Sequence, residues 1–362
     1  MNEKNDPLFA TQEKNFSSRS DSASPDSPTQ NPVPVYFVQK PYRIGCLPIL
    51  STLSSLLFFL IFLGLFLSLF VQGNTKLTRK PIGEVKSAKQ SVAVLKLEEI
   101  IMETEGFFND QIEDAFGDEN VKAVVLRIDS PGGSAYTSDF FYNKITKLRK
   151  ERNIPVVVSM GSLCASGGYY VAMAVGNENQ EVIFGEPTTW VGSIGVIIPR
   201  YDLSDLAEKV GFSPDPIQSH RLKGMGSMFR PLTEEERGIF QELVNDSFAR
   251  FKTVVQSGRK LFAEDPEKLE PLATGQIFTM TQALEGGLAD KEGSQEDAVA
   301  RAMKLAGLDA EKTNVFTYKK KDSLRDMLTS EAKNPQQQAF EAISNVASPK
   351  AYYLYTQLPG WK

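Results

Sequence analysis

Leu47 to Val71 reads LPILSTLSSLLFFLIFLGLFLSLFV, 25 residues without a charged side chain. As a helix it would span about 37 Å, enough to cross a hydrocarbon core of about 30 Å with some tilt. A buried core helix of that length would normally keep a polar face. A cleaved leader fits poorly as well. The region before the run is too long, the run itself is too long, and no Ala-x-Ala site follows. The expectation is one transmembrane helix over 47–71, which divides the chain.

On its N-terminal side, residues 1–46 contain many Ser, Pro, Asn, Gln and Asp, as in Ser22 to Pro28. So few apolar groups cannot offset the entropy of ordering, which predicts a disordered polar tail, with a docking or phosphorylation role as the alternative. On the other side come a polar linker over 72–90, a folded domain over 91–320 and a C-terminal extension over 321–362. Lys40 and Arg43 precede the span closely, whereas Lys76, Arg79, Lys80, Lys86 and Lys89 follow it. The positive-inside rule alone would place the C-terminal bulk in the cytoplasm.

Composition removes several function classes. With 45 acidic against 40 basic side chains, the net charge is -5. No basic excess exists to neutralise phosphates, so no nucleic-acid partner is expected. Two cysteines and one histidine, His220, supply neither a disulfide framework nor a set of metal ligands, so no metal site is expected. A Ser-His-Asp triad would have to use His220 or not exist.

Within the folded part, apolar runs alternate with helical patterns. Ser91–Ile101, Val124–Ile128, Pro155–Met160 and Val182–Phe184 read as strands. Ala135–Lys150, Ser166–Val175 and Thr233–Phe262 read as helices, the last opened by a capping box of Thr233 and Glu236. A further strand-and-helix unit follows over Glu267–Gly307. The class is α/β with βαβ-type crossovers.

Two loops could carry chemistry. Asp129-Ser130-Pro131-Gly132-Gly133-Ser134 ends a buried strand and precedes a helix. Its glycines permit a tight turn and leave N–H groups free to face developing charge, although a plain strand-to-helix turn would look the same. Met160 to Tyr170, MGSLCASGGYY, also follows a buried strand. It puts Ser166 at a helix start, as a nucleophile or as a simple N-cap. Cys164 is a competing nucleophile, but a small apolar cysteine beside a buried strand usually packs. A nucleophilic serine needs a base. The candidates are His220, Lys209 on the amphipathic stretch SDLAEKVGF, and Lys223 just past a strand-like run, and periodicity does not choose among them.

Six ordered blocks do. DSPGGSAY, SMGSLCASGGYY, TTWVGSIGVI, IQSHRLKG, PLTEEER and GQIFTMTQALEGGLAD together resemble the signal peptide peptidases of the short, single-domain type, over roughly residues 91–320. These are membrane-anchored serine-lysine proteases of peptidase family S49. The resemblance implies a Clp-protease/crotonase-like fold, a repeated ββα spiral. It implies Ser166 as nucleophile, Lys223 as general base and Ser193 as the residue that holds the lysine. Gly133, with Gly132 as its neighbour, would supply the oxyanion hole. It further implies no cofactor, peptide substrates such as remnant signal peptides, and rings or domes of identical copies. The anchor would sit in the cytoplasmic membrane with the catalytic domain on its outer side, against the linker charges. The alternatives within this fold are a catalytically silent membrane scaffold and CoA-dependent hydratases or isomerases, which use carboxylates as acid and base.

Overall fold

The computed structural model describes residues 54–63, 77–83, 85, 88–98, 100–320 and 352–354. It divides into two units, residues 1–73 and 74–362. In the first, residues 54–63 form an exposed helix, α1. The remainder of the expected span at 47–71, the tail at 1–46 and most of the extension at 321–362 lie outside the described residues. Among the described residues, no helix is long and apolar enough to cross a membrane.

The second unit is a mixed α/β fold around a mainly parallel sheet. Its first strands and helices are β1 (Leu77–Pro81), β2 (Gln90–Leu97), α2 (Phe107–Gly117), β3 (Val121–Ser130), β4 (Gly132–Ser134), α3 (Ala135–Arg152), β5 (Val156–Ala165) and α4 (Gly167–Ala172). They continue with β6 (Ile183–Gly185), β7 (Trp190–Gly192), α5 (Ser204–Lys209), α6 (Glu234–Gly258), α7 (Lys260–Glu264), β8 (Ile277–Thr279), α8 (Met280–Glu285), β9 (Lys291–Glu292), α9 (Gln295–Leu305), β10 (Thr313–Lys320) and β11 (Tyr352–Leu354). The main path is β1-β10-β2-β3-β5-β6-β9, with β7 beside the far end of β5 and β8 beside β7. Only β1–β10 and β7–β8 run antiparallel within it. Strands β2, β3 and β5 are apolar runs because helices cover both faces of a parallel sheet. Val92 to Leu95, Val124 to Leu126 and Val156 to Val158 are buried accordingly.

Four boundaries differ from the sequence expectation, each for a physical reason. Strand β2 stops at Leu97, and Ile101 instead makes a parallel bridge to Gly133 in the separate strand β4. Strand β5 runs on to Ala165, because its second half gains β7 as a neighbour. The stretch before Lys223 is no strand. Pro214 and Pro216 carry no N–H, and Ile217 is fully exposed, so a ladder has neither donors nor a buried face there. The long helix breaks at Arg259 (φ -133°, ψ 108°). That turn carries the Arg259 side chain inward, where its Nε donates to the Gly287 carbonyl at 2.9 Å and its guanidinium meets Asp290 at 2.7 Å.

The capping box forms as the sequence predicts. Glu236 N–H donates to Thr233 Oγ1 at 3.2 Å, and Thr233 N–H donates to Glu236 Oε2 at 3.1 Å. Arg230 adds a two-pronged contact to the buried Glu236 carboxylate. That guanidinium first, then the Thr233 amide, hold the Glu236 carboxyl down to about 2 against the opposing effect of burial. A depressed carboxyl contributes stability that is complete above the ordinary value of 4.5 and is lost as pH falls toward about 2. Glu236→Gln should therefore lower the melting temperature at pH 7, at a cost of about 1–3 kcal/mol. The gap to the unaltered chain should close as pH falls through that window. Parallel thermal melts from pH 7 to pH 2 would check it, and a gap that stays constant would show that the charge contributes nothing.

Candidate active site

Strand β5 ends where Ser166 turns into a left-handed backbone, φ 52° and ψ -118°. Few side chains other than glycine sit there without strain. The turn is held by Ser166 N–H donating to the Gly192 carbonyl at 2.7 Å and by Tyr170 N–H donating to the Ser166 carbonyl at 2.9 Å. Ser166 is buried, and its Oγ has no hydrogen-bond partner among the described residues. A buried hydroxyl left unsatisfied costs about 1–3 kcal/mol. Strain and an orphaned hydroxyl at one residue are what a nucleophile awaiting a base and a substrate would show.

Cys164, two residues earlier, does not compete. It is fully buried, and burial first, then the Asp129 charge, push its thiol well above the ordinary range. The reactive thiolate is therefore suppressed. Asp129 instead fixes the strand end, accepting from Ser162 Oγ at 2.7 Å and Leu163 N–H at 3.0 Å.

The glycine loop lies against the serine turn. Gly132 has φ 94°, and its N–H donates back to Ser130 Oγ at 3.1 Å, so that amide already has a partner. Gly133 lies flat against the passing chain. A Cβ on it would stand 2.0 Å from the Ile101 carbonyl oxygen. Ile101 N–H donates to the Gly132 carbonyl at 2.9 Å, and Ser134 N–H donates to the Ile101 carbonyl at 2.7 Å. A Cβ on Gly167 would lie 3.1 Å from the Gly133 nitrogen, which brings the loop next to the residue after Ser166. The Gly167 amide, at the start of α4, is a donor the sequence reading passed over. Its signal was simply its position after the serine.

Ser193 comes close through the sheet. Register pairs Ala165 with Gly192, so Ser166 and Ser193 follow paired residues, and both have φ 52°. Ser193 is buried and its N–H donates to the Gln276 carbonyl at 2.7 Å. Lys223 makes no hydrogen bond with Ser166 among the described residues. It sits in a single 3-10 turn, Arg221–Gly224, with an exposed side chain that makes no hydrogen bond or ion pair among the described residues. His220 is also exposed, and its Nδ1 accepts from Leu222 N–H at 3.3 Å. Lys209 ends the short helix α5 and is exposed.

The sequence reading also missed β11. Residues 352–354 pair antiparallel with β4, Tyr353 opposite Gly133. On their other side, Tyr352 exchanges both backbone hydrogen bonds with Ile197, at 2.9 and 3.0 Å. Residues 352–354 thus lie as an extended strand between the glycine loop and the segment after β7. A groove of about 810 Å³, lined by Met102, Glu103, Tyr136 and Ser247 among others, continues past Ser134.

A buried serine on a strained turn thus lies beside a glycine loop and a short extended segment paired to two backbone edges. Comparison with known proteins gives the class its name. Residues 148–309, which include Ser166, Ser193 and Lys223, match the model of peptidase family S49. The chain is 42% identical over 207 residues to a Synechocystis sp. protein assigned as a protease, slr0021, covering 57% of this chain and 71% of that one. It is 35% identical over 211 residues to the chloroplastic serine protease SPPA of Arabidopsis thaliana, covering 58% of this chain and 30% of the relative. With Protease 4 of Haemophilus influenzae it shares 34% over 191 residues, covering 53% and 29%. The chain thus spans about 30% of the length of the last two relatives. The chain belongs to peptidase family S49, a family of serine proteases.

The backbone of Ser166 gives a stability test independent of activity. Glycine tolerates φ 52°, ψ -118°, and alanine does not. Ser166→Gly should be more stable than Ser166→Ala by about 1 kcal/mol, read by urea unfolding. Equal stability of the two variants would mean that the turn stores no strain.

Proposed function

We propose that the chain is a membrane-anchored serine endopeptidase in which Ser166 is the nucleophile and Lys223 the general base. The observation that carries this reading is the buried Ser166 hydroxyl, without a partner among the described residues, on a turn whose next residue, Gly167, lies against Gly133. Ser166 Oγ attacks a peptide carbonyl while a neutral Lys223 amine accepts its proton. The two amides hold the oxyanion. The lysinium then protonates the leaving amine, and water, deprotonated by the same amine, releases the acyl group. Ser193, next to Ser166 through the sheet, orients the lysine. Gly132 supports this by holding the turn rather than by donating.

Lys223 is exposed in the single chain, so a second surface would have to enclose it beside Ser166. The segment around it also exposes Tyr201, Leu206, Val210, Phe212 and Ile217. Such an apolar surface calls for a partner. A second copy that covers it would bring one chain's Lys223 to another's Ser166 and build a ring or dome, with no cofactor required. The uncharged run over 47–71 anchors this assembly in the cytoplasmic membrane, with the catalytic domain on the outer side. Its substrates are extended apolar peptides such as remnant signal peptides, entering as β11 lies, edge to edge with β4. The repeated ββα spiral of the Clp-protease/crotonase type fits the parallel sheet that supports the site.

Mixing variants tests both the dyad and its sharing between copies. Ser166→Ala and Lys223→Ala should each be inactive. After subunit exchange their mixture should recover roughly a quarter of full activity, the chance that an intact serine meets an intact lysine across an interface. Lys223→Arg should also be inactive, because a guanidinium cannot give up its proton, while His220→Ala keeps most activity. An active Lys223→Ala chain, or no recovery after exchange verified by mass tags, would defeat the proposal.

A further inference from the structure

A separate cavity of about 390 Å³ shares no lining residue with the groove past Ser134. Three pieces of chain wall it: the segment after β7, the segment that follows Lys223, and the N-terminal half of α6. Ile198, Met228, Phe240 and Val244, all half-buried, make it apolar. Its charged lining consists of two guanidinium groups, Arg200 and Arg237, with no acid among the lining residues.

The two arginines do different work. Arg200 ties the walls together. One of its terminal nitrogens donates to the Arg230 carbonyl at 2.6 Å and to the Ser227 carbonyl at 3.3 Å. Arg237 is exposed and makes no hydrogen bond among the described residues, and Glu234 stands 3.9 Å away. The next two carboxylates on α6 are engaged elsewhere, Glu235 with Arg221 and Glu236 with Arg230. A guanidinium with its donors open, beside an apolar cavity, suits a carboxylate that carries an apolar group.

The backbone favours a peptide as the bearer of that carboxylate. Ile197 pairs with Tyr352, but no hydrogen bond among the described residues uses the N–H of Arg200 or Tyr201. Those amides remain open to the carbonyls of a peptide laid beside them. A simple fatty acid would leave them unused.

We propose that this cavity takes the C-terminal end of a substrate peptide, its last apolar side chain inside and its free carboxylate on Arg237. A peptide released by an earlier hydrolysis ends in a carboxylate, whereas the same segment within an uncut chain does not. The cavity therefore selects released peptides over intact precursors, and peptide-bond hydrolysis is the class of reaction that supplies the substrate. This rests on the peptidase reading and deepens it.

Calorimetry on the full-length chain carrying Ser166→Ala reads binding without chemistry. The probes are one leucine-rich peptide as its free acid and as its C-terminal amide, the same acid ending in serine, and isocaproate, which has the carbon chain of leucine and no amide. The free acid should bind about tenfold tighter than the amide, the lower end of what a hydrogen bond to a charged group contributes. Ending the peptide in serine should cost roughly tenfold, for one apolar side chain left unburied. Arg237→Gln, at an exposed position, should bring the acid down to the amide and leave the amide unchanged. Equal affinity of acid and amide, which a second copy seated in the cavity would produce, overturns the proposal. An acid preference that survives Arg237→Gln overturns it too, as does isocaproate binding as tightly as the peptide acid. An acid preference lost in Arg237→Gln, together with no cleavage of the peptide by the unaltered chain, would uphold the cavity and defeat the assignment of Ser166 alone.

Discussion

The hydrogen bond from Ser166 N–H to the Gly192 carbonyl, 2.7 Å long, fixes where strand β5 stops and how the chain leaves it. The last residues of β5 pair with β7 rather than with β6, so two short strands share one long one. At the end of that second pairing, Ser166 and Ser193 each take a left-handed backbone, and the paired carbonyl leaves Ser166 no freedom to relax. Helix α4 can start only from that turn. The position of the serine hydroxyl, of the Gly167 amide and of Ser193 all follow from one register.

Around that turn the fold keeps a strand open to backbone pairing. Strand β4 is only three residues long and stands off the main sheet. Ile101 serves one edge, and its fit requires a glycine at 133 because its carbonyl occupies the space of a Cβ. The other edge takes β11. An unpaired edge on the glycine loop would be open to pairing with other chains. Residues 352–354 fill it with a strand of the same chain.

Much of this was legible in the sequence where local chemistry and burial agree. The apolar runs at Val124–Ile128 and Pro155–Met160, the helix after Ser134 and the Thr233–Glu236 capping box all appear where their patterns place them. Ser166 at a helix start and the glycine turn over 132–133 were visible as motifs. What escaped was set by contacts distant in sequence or by a local choice among partners. Strand β11 pairs with β4 across more than two hundred residues and has no turn signal to announce it. The break at Arg259 depends on Asp290 and Gly287. The Ser130 hydroxyl takes the Gly132 amide, a choice that the spelling of the loop does not reveal. Lys223 was chosen by resemblance, and its exposed place in a single chain reflects a segment rich in proline and surface apolar groups.

The covalent step proposed for Ser166 would leave an acyl group on that residue during turnover. It is tested most directly by trapping the acyl-enzyme during turnover of a slowly released peptide ester. The reaction would be quenched in acid within milliseconds, and the digested chain mapped by mass spectrometry. An acyl group is expected on Ser166 and none on Cys164. An adduct on Cys164, or turnover with no adduct on Ser166 at any time point, would contradict it.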